Sequence, residues 1–93
     1  MADAEFAEQL RRVRAGDAEA AADLVRRFEP ALRMEIRIRL FDPTLRRFFD
    51  SMDICQSVFK SFFVRSAVGQ YELERPEQLK QLLVKMTFHK LTH

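Results

Sequence analysis

Asp53, Gln56, Ser57 and Lys60 stand at offsets of three, four and seven, the spacing that lines side chains along one face of a helix. If residues 50–68 are helical, Ile54, Cys55, Val58, Phe59, Phe62 and Phe63 gather on the other side. An acid, an amide, a hydroxyl and an ammonium beside so much aromatic surface suit docking, since they donate and accept hydrogen bonds but make no nucleophile–base pair. Cys55 falls on the apolar side and reads as a small buried thiol of a reducing compartment. His89 and His93 are four apart, a metal-ligand spacing, yet Lys90 follows the first His where a zincin motif has Glu. There is no glycine-rich phosphate loop and no Ser/His/Asp or Cys/His arrangement. The residues predict neither an enzyme nor a metal or cofactor site.

The elements that must position these groups can be placed from the rest of the chain. The 93 residues are 47% hydrophobic, with nine Phe but only two Gly and three Pro, which predicts one domain built from a few long elements. Asp3 can cap a first helix carrying Phe6, Leu10 and Val13 on one side; Gly16 stops it and Asp17 caps the next. The second helix opens on Ala18 to Ala22 and turns Leu24, Val25, Phe28 and Leu32 inward, with an expected kink at Pro30. Met34, Ile36, Ile38 and Leu40 alternate with polar residues as in a strand, whereas Leu32, Ile36 and Leu40 recur every four residues as in a helix. A lone strand would leave its backbone groups without partners, so a helix is expected.

Residues 41–49 form a junction marked by Asp42-Pro43, because the residue before proline is pushed out of helical geometry. The third helix starts at Asp50 or Ser51 and ends at Gly69, and Gln70 to Arg75 make a polar loop around Tyr71. Pro76 opens a fourth helix that buries Leu79, Leu82, Leu83 and Met86 and runs to His93 with no capping signal, as in a chain cut short. The predicted fold is all-α, a compact bundle of about four helices with the second kinked at Pro30.

The net charge of +2 hides an uneven layout: residues 1–25 hold three Arg against six acids, and residues 26–47 hold seven Arg against three. Such a central segment suits nucleic acid or an acidic partner, or simply a solvated helix face. The acidic start, Met1-Ala2-Asp3-Ala4-Glu5, is unlike a secretory signal, and no apolar run approaches a membrane span. A cytoplasmic protein without membrane partners is expected.

Read in order, three motifs resemble region two of bacterial sigma factors of the extracytoplasmic-function group. Phe28-Glu29-Pro30-Ala31-Leu32 matches the family's Tyr/Phe-x-Pro-x-Leu helix. Asp50-Ser51-Met52-Asp53-Ile54-Cys55-Gln56-Ser57-Val58-Phe59 follows its Asp-x-Glu-Asp-hydrophobic-hydrophobic-Gln-x-hydrophobic-Phe helix, with Met52 where Glu is usual. Leu82-Leu83-Val84-Lys85-Met86-Thr87-Phe88-His89 stands in for Trp-Leu-x-x-Ile-Ala-Arg-Asn. The resemblance implies that Asp50, Asp53, Gln56, Ser57 and Lys60, with Arg33 and Arg37 of the preceding helix, dock on the clamp helices of the RNA polymerase core. It further implies that the loop (Gly69, Gln70, Tyr71) and the last helix (Lys85, His89, Lys90) read the melted minus-ten element of promoter DNA as a single strand. An anti-sigma factor is a further implied partner.

Departures from the pattern bear on the second role more than the first. Phe88-His89 replaces Arg-Asn, and Glu72 and Glu74 oppose phosphate approach, so weakened DNA binding is expected, whereas the polymerase-docking motif is largely intact. The family's second domain, with its helix-turn-helix, is absent from these 93 residues. The competing reading is a small helical protein-binding module, suggested by the Phe48-Phe49 and Phe62-Phe63 pairs.

Overall fold

The structure, a computed structural model, describes residues 2–39 and 51–92. They form four helices: α1, Ala2–Arg14; α2, Ala18–Arg39; α3, Ser51–Ala67; and α4, Pro76–Thr92. No strand occurs among the described residues. The all-α bundle expected from the sequence is what the chain adopts. Asp50 and the 41–49 junction lie outside the described residues.

α2 is the organising helix, packing on α1, α3 and α4, while α3 packs in turn on α1 and α4. Phe6, Leu10 and Val13 enter the core from α1, and Leu24, Phe28, Leu32 and Ile36 enter from α2 at four-residue intervals. That interval decides the ambiguous stretch of α2. Leu32 and Ile36 are each 1% exposed, whereas Met34 and Ile38 are 65% and 61% exposed. The alternation reflects one buried and one exposed edge of a helix, and the helix runs through Arg39. It also continues through Pro30. Pro30 and Arg26, whose carbonyl loses that amide donor, both belong to the exposed side, where solvent can supply the missing partner.

The two described junctions close in the same way but lead into differently capped helices. Gly16 and Gly69 both take the left-handed conformation, at φ 88° and 74°. After α1, the amide of Gly16 donates to Val13 and that of Asp17 to Arg12; after α3, Gly69 donates to Ser66 and Gln70 to Arg65. Both are Schellman closures, which favour glycine because a Cβ strains the backbone at positive φ. Asp3 sits inside the first turn of α1, which begins at Ala2, and so does not precede it as a cap. At α4, Gln78 reaches back so that its Oε1 accepts from the amides of Glu74 (2.7 Å) and Arg75 (3.0 Å), the half of a capping box supplied from inside the helix.

Asp17 is the expected cap of α2, its Oδ1 accepting from the amides of Glu19 (3.0 Å) and Ala20 (3.1 Å). Its Oδ2 also accepts from Arg12 Nε at 2.8 Å, tying the end of α1 to the start of α2. The Ala20 amide first, and then the Arg12 guanidinium, hold the carboxyl below its ordinary range. A depressed folded-state value means a contribution fully present above the unfolded value and lost as pH falls through the folded one. Asp17→Asn keeps an acceptor for the cap but removes the charge. In acid titrations of the melting midpoint, the variant is expected to fall less steeply than the parent on the acid side. Parallel curves would show that Asp17 does not contribute to the acid limb.

Candidate functional site

On α3 the buried stripe of Ile54, Val58 and Phe62 leaves Asp53, Gln56, Ser57 and Lys60 together on the exposed side. The strip has an apolar continuation that the sequence reading missed: Val64, four residues beyond Lys60, is 65% exposed, and Val68 is 79% exposed. Cys55 is buried in the core-facing stripe. Burial first, and then the charge of Glu29, push its thiol pKa up against the opposing effect of Arg33. The thiolate is thereby disfavoured, and the residue serves as packing.

Arg33 connects α2 to the start of the strip. Its Nη2 lies 3.3 Å from Glu29 Oε1 and 3.5 Å from Met52 Sδ, while its buried Nε has no hydrogen-bond partner. Met52 is the residue that departs from the acidic family motif. A thioether is a weak acceptor, so the cross-helix contact made by this guanidinium lacks the charge-assisted bond that a carboxylate there would offer. Arg37, one turn further along α2, is exposed on the same side.

A second feature lies between the carboxyl-terminal half of α3, the 70–75 loop and α4. Gln70, Tyr71, Lys85, His89 and Lys90 line one open cleft of about 330 Å³, joined by Ser61, Arg65, Leu82 and Met86. Five of the six candidate DNA-contacting residues thus come together from two separated segments. The sixth, Gly69, shapes the turn that brings the loop round. Arg65 is the cation that sequence reasoning missed; its position in the last turn of α3, five residues before Gln70, is the signal that places it there. Neither Glu72 nor Glu74 lines the cleft.

Tyr71 forms a fixed wall. Its ring stacks on Phe62 with centroids 5.7 Å apart and planes inclined by 12°, and Arg65 Nη1 lies 3.5 Å from its hydroxyl. On α4, Thr87 satisfies its buried hydroxyl by donating to the Leu83 carbonyl at 2.8 Å. His89 and Phe88 occupy different flanks of α4. His89 lines the cleft, whereas Phe88 lines a hollow with Glu35, Glu77 and Val84 on the side facing α2. Position 88 therefore lies outside the lining of the cleft.

With Arg65, Lys85 and Lys90 in its lining and no carboxylate among the described residues that line it, the cleft attracts anions and offers neutral donors and an aromatic wall beside them. Among the described residues, no group of three or more His, Cys, Asp or Glu side chains is arranged to hold a metal ion, and no helix is long and apolar enough to cross a membrane. No protein-family model, curated protein or solved structure matches the chain.

Proposed function

We propose that this chain is a transcription-initiation domain that docks on the RNA polymerase core through the polar strip of α3 and holds single-stranded minus-ten DNA in the cleft beside Tyr71. The observation that carries the reading is the cleft. Residues from the loop and from α4, named by the sigma-factor resemblance as one nucleic-acid surface, line one concavity with an added Arg65. A single strand suits such a site, because its phosphates follow basic groups while unstacked bases enter a pocket too small for a duplex.

The strip takes the other role. Asp53 and Gln56 offer acceptors and donors along it, Arg33 adds a cation from α2 at its start, and Arg37 stands exposed one turn further along α2. Polar groups at the rim of an interface steer and orient docking, while a few contacts at its centre carry most of the affinity. Gln56→Ala and Asp53→Ala are each expected to lose at least about 1 kcal/mol of binding to core polymerase, measured in pull-down and titration. Full retention of binding by correctly folded variants would sink the docking assignment.

One observation favours a second reading, a helical module that binds protein alone. Met34 and Ile38, four apart on α2, are 65% and 61% exposed and offer an apolar edge without a role in either surface above. Phe48 and Phe49, also named for this reading, lie outside the described residues. Sedimentation of the purified chain discriminates between the two. A stable dimer that buries α2 and ignores single-stranded DNA would favour the second.

A further inference from the structure

The loop that walls the cleft is tied to the amino-terminal helix. Arg14, in the last turn of α1, donates from Nη2 to the carbonyl of Tyr71 at 2.6 Å, across 57 residues of chain. Arg14 is exposed and does not line the cleft. At either end of the loop the backbone is held locally, by the Gln70 amide closing α3 on Arg65 and by Gln78 accepting from Glu74 and Arg75. The Arg14 bond falls between those anchors, at the residue whose ring forms the wall.

We propose that Arg14 is a positioning residue for the cleft: by fixing the Tyr71 backbone it keeps the wall in place for an incoming single strand. This rests on the assignment of the cleft to single-stranded DNA. The Tyr71 carbonyl would be solvated if Arg14 were removed, so the fold keeps its core and loses little stability. The loop instead gains conformations that binding must then remove, and that entropy is charged against affinity. The α1 helix, outside the three motifs of the resemblance, thereby acquires a part in ligand binding.

Tyr71 is the one tyrosine of a chain without tryptophan, so intrinsic emission reports on this loop alone. Arg14→Ala, shown to be folded by circular dichroism, is expected to bind a short fluorescein-labelled adenine- and thymine-rich single strand about fivefold more weakly, the scale of the net contribution of one ordinary hydrogen bond. Acrylamide quenching of Tyr71 should rise in the same variant, and Arg14→Lys, which keeps a charged donor, should recover part of both. The salt dependence separates positioning from direct contact. A residue that touches phosphate lowers the slope of log K against log salt by about 0.7 when removed, whereas a positioning residue leaves it unchanged. Unchanged affinity, unchanged quenching or a lowered slope in Arg14→Ala overturns the proposal while the cleft assignment stands. Failure of the parent protein to bind the strand overturns both.

Discussion

Phe62→Ala is expected to destabilise the chain by about 3–5 kcal/mol, enough to unfold a large fraction of the molecules at growth temperature. Phe62 is fully buried, at 0% exposure. It also packs on two other aromatic rings. Its ring meets Phe63 with centroids 5.7 Å apart and carries the Tyr71 ring at 5.7 Å. Truncation opens a cavity in the α3 stripe and removes the platform under the cleft wall. For a domain of this size each kcal/mol moves the melting midpoint by roughly 4–8 °C, so a fall of about 12 °C or more is expected. Val64→Ala, on the exposed side of the same helix, should stay within about 0.5 kcal/mol of the parent. A small shift for Phe62→Ala, comparable to that of Val64→Ala, would mean that the stripe is not packed as described.

Most of the helical architecture was legible in the sequence because its signals are local. Gly16 with Asp17, Gly69 and Pro76 each mark a boundary through backbone chemistry that needs no tertiary partner. The four-residue recurrence of Leu24, Phe28, Leu32 and Ile36 identifies the buried edge of α2 for the same reason. What the sequence could not show was which groups from distant elements meet. Arg14 and Arg65 carry no motif, and their roles arise only when α1 and α3 converge on Tyr71. Gln78 was missed because a capping box is usually sought through its N-cap Ser or Thr, and here the N-cap residue is Arg75.

The departures from the family pattern also change meaning once their faces are known. Phe88 and His89 are adjacent in sequence and read as one lost Arg-Asn pair, but a helix turns about 100° between neighbours. Phe88 goes to the α2 side and His89 to the cleft. The cleft also gains Arg65 from α3, so its positive character does not depend on position 88. Met52 is the more consequential departure, because it faces Arg33 across the α2–α3 contact. The cleft lining holds Arg65, Lys85 and Lys90, and at the edge of the strip Arg33 meets a thioether and not a carboxylate.

The combined variant Arg65→Gln/Lys85→Gln tests the part of the cleft cations directly and is expected to bind the labelled single strand about 25-fold more weakly at 0.1 M salt. The figure follows from counterion release. Each phosphate contact on a single strand contributes about 0.7 to the slope of log K against log salt, so removing two lowers it by about 1.4. The deficit should grow at lower salt and nearly vanish as salt approaches about 1 M. Arg65 also reaches the Tyr71 hydroxyl, so affinity lost without a change in slope would place its effect in the wall and not on phosphate. Lys60→Gln, on the exposed strip of α3, is the comparison that matters most, since it removes one positive charge from the same helix without touching the cleft. It should leave strand affinity and slope close to those of the parent. If Lys60→Gln lowers the slope as much as either cleft substitution, binding follows net charge over the whole surface, and the cleft has no special claim on the strand.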